Sequence, residues 1–147
     1  MRIFQATLEH LEALTPLFVA YREFHGAMPA TALSKEFLQQ RIEKQESVIF
    51  VAVQDEQLLG FCQVYPSFSS LSLRPVWILN DIFVKEEYRG KQIAEKLIRY
   101  TLEQAAASDV VRIRVSISQY NEVAQRLFES TGFAEDPVFR NYIQTMA

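Results

Sequence analysis

Ile82-Phe83-Val84-Lys85-Glu86-Glu87-Tyr88-Arg89-Gly90-Lys91-Gln92-Ile93-Ala94 is the stretch from which the rest of the chain is best read. An apolar strand end runs into a short charged loop and then into a helical pattern that continues through Leu97, Ile98, Thr101 and Leu102. Such a loop gathers the unpaired N–H groups of a helix start, and the positive end of its dipole, at one point. Gly90 lets backbone approach a phosphate closely, and Arg89 and Lys91 add positive charge, so the point suits a pyrophosphate. On spacing alone the same residues also fit an ordinary strand-to-helix turn with solvated charges. Two other phosphate loops are excluded. Neither G-x-x-x-x-G-K-[ST] nor G-x-G-x-x-G occurs, and only Gly26, Gly60, Gly90 and Gly132 are available to build one.

Just upstream, Val76 to Val84 is the most apolar segment of the chain, interrupted only by Asn80 and Asp81. It reads as a buried central strand whose two polar residues require a reason. In a regular strand Asn80 shares a face with Ile82 and Val84, while Asp81 points to the other face. Further towards the N-terminus, Arg2 to Ala6 reads as a strand. Thr7 caps a helix whose apolar positions run from Leu8 to Phe24, closed by Gly26. Ser34 caps a second helix reaching Lys44. Ser47 to Val53 and Leu58 to Tyr65 form a hairpin around Asp55-Glu56-Gln57, and Pro66 to Pro75 reads as a serine-rich loop.

Downstream, Val110 to Ile117 alternates as a strand, and Asn121 to Thr131 is a helix closed by Gly132. Short strands are expected around Phe133 and from Val138 to Ile143. This order, β-α-α-β-β-β-α-β-α-β-β, predicts an α/β fold: one twisted mixed sheet flanked by four helices, in a single domain spanning residues 1–147.

Composition narrows the function. With 147 residues, 49% hydrophobic and 22% charged, the chain reads as a packed enzyme or binding module rather than a disordered or fibrous one. A formal charge of -3 argues against broad nucleic-acid binding, which draws on a basic surface. Cys62 is the only cysteine, so no internal disulfide forms, and a reducing cytoplasm is the expected compartment. No signal-peptide or membrane-span pattern is visible, and no membrane partner is expected. His10 and His25, with no cysteine near them, give no metal-site spacing, and no serine–histidine–acid arrangement is recognisable.

Val84 followed by Arg89-Gly90-Lys91-Gln92-Ile93-Ala94 is similar to the (Gln/Arg)-x-x-Gly-x-(Gly/Ala) loop of the GCN5-related N-acetyltransferase (GNAT) family. Asn121-Glu122-Val123-Ala124-Gln125-Arg126-Leu127-Phe128-Glu129-Ser130-Thr131-Gly132-Phe133 resembles that family's second signature, N-x-x-A-x-x-L-(Y/F)-x-x-x-G-F. The resemblance implies transfer of an acetyl group from acetyl-coenzyme A to a primary amine of a small molecule or peptide, by direct attack in a ternary complex. It implies that Arg89, Gly90, Lys91, Gln92, Ile93 and Ala94 hold the pyrophosphate, and that Ile82, Phe83 and Val84 offer backbone to the pantetheine arm. Asn121 is implied beside that arm. A bulge that splays the central strand from the next, leaving N–H groups for the thioester carbonyl, is also implied, and a homodimer is common in the family.

Two positions depart from the family pattern. Gln92 stands where glycine is usual, and Phe128 where many members have a tyrosine that protonates the departing thiolate. Phenylalanine cannot donate a proton, so Tyr120 or Tyr142 is the candidate replacement. An alkylamine must shed a proton to attack. Asp81 is either the base for that step or an acceptor that ties down a neighbouring loop, and Asn80, which cannot take a proton, positions water or substrate. Tyr21, His25 and Tyr65 are candidates for the acceptor wall. The rival reading is a non-catalytic module that binds acyl-coenzyme A as a sensor or serves protein association.

Overall fold

The computed structural model describes residues Met1–Ala147, which divide into two compact units, Met1–Ser116 and Ile117–Ala147. The first unit holds a five-stranded sheet in the order β1-β2-β3-β4-β5, made of β1 (Arg2–Gln5), β2 (Val48–Gln54), β3 (Gln57–Ser69), β4 (Arg74–Val84) and β5 (Ile113–Val115). The first four strands pair antiparallel, and β5 joins β4 parallel, so the sheet is mixed as expected. Parallel pairing requires a crossover. The helix α3 (Ile93–Ala107) supplies it, while α1 (Leu11–Phe24) and α2 (Thr31–Glu43) precede β2.

Each of these three helices lies where its apolar stripe finds a sheet face. Leu11, Leu14, Leu17 and Phe18 of α1 and Leu38 of α2 pack with Ile49, Val51, Val53, Phe61 and Phe83 in one core cluster. On the other face Tyr100 of α3 meets Phe50, which meets Trp77, and the Thr101 hydroxyl lies 3.6 Å from the Cys62 sulfur. No helix is long and apolar enough to cross a membrane.

Regular alternation along β4 breaks at one residue, in the strand where the resemblance implied a bulge. Gln63 of β3 faces Asp81, and the next residue, Val64, faces Leu79, so Asn80 is an extra residue without an opposite number. It forms a β-bulge, which reverses the alternation. Trp77 therefore turns to the α3 side, whereas Phe83 and Asp81 turn to the α1 side, where both meet Tyr21. Pairing with β5 ends at Leu79, so from Asn80 to Val84 the outer edge of β4 carries no partner strand.

Several boundaries differ from the sequence expectation. Thr7 caps a short 3-10 turn, Leu8–His10, rather than α1 itself, and the His10 ring returns a bond to the Thr7 N–H. Ser34 lies inside α2, where its hydroxyl donates to the Pro29 carbonyl, and Ala30 is the residue before the helix. The expected serine loop is largely strand. β3 runs on to Ser69 and β4 starts at Arg74, with Pro66 opposite Trp77. Proline is tolerated because β2 pairs no further than Val64, leaving that edge of β3 without a ladder to break.

In the second unit, α4 (Glu122–Ser130) is capped by Asn121, and Phe128 is buried with its ring edge-on to Phe133 at 5.2 Å. The short strands expected around Phe133 and from Val138 to Ile143 are not formed. Val138, Phe139, Tyr142 and Ile143 are all exposed, and an apolar alternation becomes a strand only where a neighbouring strand accepts its bonds.

Candidate active site

The bulge at Asn80 creates a buried acid. Asp81 is 5% exposed and accepts three hydrogen bonds: Tyr21 Oη to Oδ1 at 2.5 Å, Asn80 Nδ2 to Oδ1 at 3.0 Å and Gln63 Nε2 to Oδ2 at 2.7 Å. A buried carboxylate survives only with such donors. Tyr21 is drawn in from α1, where its ring also stands edge-on to Phe61, Phe83 and His25. Burial, and then the hydrogen bond and charge of Asp81, push the Tyr21 hydroxyl well above the ordinary tyrosine range. Tyr65 is pushed up to about 12 by burial and then by Asp81, against a smaller opposite pull from Arg41. Both therefore remain phenols, able to donate and accept, at any pH near neutrality.

Three of the residues expected from sequence, Tyr21, His25 and Tyr65, thus gather with Asn80 and Asp81 in one place. Gln63 was missed. Its signal was the same one that marked Asp81, a polar residue inside a buried apolar strand, since Gln63 is 0% exposed between Cys62 and Val64.

A few residues along β4 lies the charged loop. Ile93 is buried and fixes the start of α3, and no side chain caps that start. Gly90 has φ +80 and a Cβ placed there would meet nothing within 4 Å, leaving an open approach to the backbone. Arg89 adds its charge from a fixed position. Its guanidinium lies 5.0 Å from the Phe24 ring and 5.2 Å from the Phe83 ring, and Nε donates to the Val84 carbonyl at 3.0 Å. That clamp uses Nε and leaves the two terminal amino groups as further donors. A surface depression of about 580 Å³, lined in part by Phe24, Phe83 and Arg89, opens beside it. Lys91 rests 5.5 Å from the Tyr88 ring, and Ala94 is half-buried in the first turn of α3. An open glycine, an uncapped helix start and a clamped arginine together fit an anion such as a pyrophosphate.

Gln92 takes up a backbone conformation that suits glycine, and nothing in the structure explains the glutamine. It precedes α3 with φ +63, the left-handed region that glycine enters freely, and its side chain makes no capping bond. Relief of that conformation in Gln92→Gly, worth about 1–2 kcal/mol per L-residue, outweighs the added freedom of the unfolded chain. We expect the melting temperature of Gln92→Gly to rise by about 1–2 °C in a calorimetric scan. A lower melting temperature would show that the glutamine side chain holds the loop.

In the second unit, Asn121 uses its side-chain oxygen to cap α4, accepting from the Ala124 N–H at 3.1 Å. Tyr120 is 85% exposed, and its backbone N–H donates to the Ser118 hydroxyl at 3.2 Å.

Comparison with known proteins gives a consistent result. Residues 11–133 match the model of the acetyltransferase (GNAT) family. The chain is 34% identical over 142 residues to the protein of Bacillus subtilis (strain 168) named "Uncharacterized N-acetyltransferase YhfO", covering 97% of this chain and 95% of that one. It is 36% identical over 141 residues to a "Probable acetyltransferase" of Haemophilus influenzae, covering 93% and 92%. Among solved structures, a "probable acetyltransferase" superposes with a TM-score of 0.95 at 53% identity, over 100% of this chain and 99% of that one.

Proposed function

The chain belongs to the GNAT family and is an N-acetyltransferase, and from that premise we propose that it moves an acetyl group from acetyl-coenzyme A to a primary amine of a small molecule or peptide. The observation that carries this reading is the bulge at Asn80. It sets a buried carboxylate with its phenol partner at one end of the unpaired edge of β4, and that edge leads at its other end into the Arg89 to Ala94 loop.

When bound, acetyl-coenzyme A supplies a thioester carbonyl that an amine can attack. The chain's own residues do the rest. Arg89, Gly90, Lys91, Gln92, Ile93 and Ala94 would hold the pyrophosphate through backbone N–H groups and the arginine fork. The free edge at Ile82, Phe83 and Val84 would bond the pantetheine amides as a strand would. Asp81 is the proposed base, and the exposed Asn80 orients the amine, with Tyr21, His25 and Tyr65 as its surroundings. Phe128 has no hydroxyl, so the proton for the departing thiolate is assigned to Tyr120 or to water. Asn121 is placed with the coenzyme on the motif alone. We read residues 1–147 as one catalytic domain. Cys62 is fully buried with its thiol pushed up to about 12 by burial, an inert core residue that suits a reducing cytoplasm.

Titration calorimetry with acetyl-coenzyme A, followed by turnover on spermidine, lysine, an aminoglycoside and a peptide with a free N-terminus, tests this reading. We expect binding, a melting temperature that rises with ligand, and turnover of at least one amine. No binding at millimolar coenzyme would overturn it, and binding without turnover of any amine would favour the sensor reading.

A further inference from the structure

We propose that the group which receives the amine proton is the hydroxyl of Tyr21, and that Asp81 acts behind it as the proton store, with Gln63 fixing which carboxylate oxygen faces the phenol. This inference rests on the amine acetylation proposed above and deepens it.

The geometry sets the roles. Asp81 is 5% exposed and its oxygens are already taken by Tyr21, Asn80 and Gln63, so an amine arriving from solvent does not meet the carboxylate first. Tyr21 is only half-buried and carries the shortest of those three bonds, 2.5 Å. Its oxygen donates one proton to Asp81 and keeps lone pairs that can accept another. As the amine nitrogen becomes an amide nitrogen, one N–H bond breaks and that proton joins Tyr21 Oη. The original Tyr21 proton moves along the 2.5 Å bond to Asp81 Oδ1. Tyr21 ends as the phenol it was, Asp81 goes from carboxylate to carboxylic acid, and solvent later removes the stored proton by the reverse path.

Gln63 completes the arrangement. Its Nε2 donates to Oδ2, while its own Oε1, buried, makes no hydrogen bond within the protein. A buried acceptor left without a protein partner is costly, so the amide is oriented by the demand of the carboxylate rather than by its own. The bond to Oδ2 is compatible with both charge states of Asp81, provided the proton sits on Oδ1. Gln63 thereby leaves Oδ1, which Asn80 also bonds, as the oxygen that takes the Tyr21 proton. The other titratable and charged groups near this array are Tyr65 of β3, His25 at the end of α1, Arg41 of α2 and the thiol of Cys62 beneath the sheet. Arg41 is paired with Glu46, and neither Tyr65 nor Cys62 ionises near neutrality.

The test is the pH profile of kcat at saturating acetyl-coenzyme A, with whichever amine of the panel turns over best, for wild type, Tyr21→Phe, Asp81→Asn and the double variant. Tyr21→Phe keeps the ring and its stacking. We expect kcat to fall by about 10²–10³ in each single variant near neutral pH, the usual worth of a positioned acid–base group. The deficit should shrink as pH rises, because hydroxide and buffer bases then take up the proton that the relay would have received, and coenzyme affinity should stay within about twofold. Because the two residues act in series, the double variant should be no slower than the worse single. Gln63→Met should lower kcat less, with the pH profile displaced rather than flattened. Wild-type turnover with undiminished Tyr21→Phe, or a double variant whose losses multiply, overturns the relay alone. If Asp81→Asn does not fold, the Tyr21→Phe profile still decides. A wild-type protein that binds coenzyme but acetylates no amine removes the proposed function and the relay together.

Discussion

Gly90→Glu is expected to lower acetyl-coenzyme A affinity by about a hundredfold or more, equivalent to ~2.8 kcal/mol, while leaving the free protein folded. Nothing lies within 4 Å of a Cβ built on Gly90, so the new side chain meets no clash in the free protein. Its backbone cost is that of an L-residue at φ +80, about 1–2 kcal/mol. The larger effect falls on the ligand. A carboxylate would stand among the N–H groups that open α3, where two phosphates must come, and like charges in an anion site repel strongly. Gly90→Asn separates the two contributions, because asparagine tolerates the left-handed region and adds no charge. We expect Gly90→Asn to bind within about tenfold of wild type by titration calorimetry. Equal losses in the two variants would mean that backbone shape, and not charge, governs the loop. Unchanged affinity in both would move the coenzyme away from Gly90.

How far this site could be read from sequence depends on the range of the signal. The strand, loop and helix from Ile82 to Ala94 are local, and their composition alone places a helix start beside a glycine and two cations. Asn80 and Asp81 were visible for the same reason, as polar residues in an apolar run. That Asp81 faces away from Ile82 and Val84 was legible; that it also faces away from Trp77 was not. Strict alternation assigns its face only in a regular ladder, and the register slip opposite Gln63 and Val64 depends on β3, a separate segment. Gln63 went unnoticed because its reason for being buried is a partner 18 residues away in sequence. Pro66 suggested a loop, yet whether a proline breaks a strand depends on which edge is paired, and here that edge lies beyond the end of β2. The alternation of Val138 to Ile143 was read as a strand on local pattern, but a strand also needs a partner edge, which is not a local property.

The same dependence on a neighbouring strand makes Gly60 the most sensitive small residue of the sheet. Gly60 of β3 lies opposite Val84, at the point where β4 leaves for the charged loop. A Cβ there would stand 2.7 Å from the Phe83 carbonyl oxygen, 3.1 Å from Val84 Cγ2 and 3.2 Å from Val84 Cα. Two of those three atoms are backbone, so no rotamer change relieves the overlap, and β3 and β4 must part. Gly60→Ala should therefore cost about 1–3 kcal/mol, the usual range for overpacking, and lower the melting temperature by about 3–10 °C. The bond from the Lys85 N–H to the Leu59 carbonyl, 2.9 Å, weakens with it. Gly26→Ala is the informative control. Gly26 has φ +81 but open space around it, so alanine there pays only for backbone conformation, about 1–2 kcal/mol. Gly60 is not in the left-handed region, so its loss is steric and falls on Phe83 and Val84, the residues proposed to carry the coenzyme. Gly60→Ala should accordingly weaken acetyl-coenzyme A binding about tenfold, whereas Gly26→Ala should not change it. Denaturant titration and calorimetry on the two variants read both effects. If Gly60→Ala melts with wild type, the strands have room the geometry denies; if it melts lower but binds coenzyme normally, the ligand does not lie along this edge of β4.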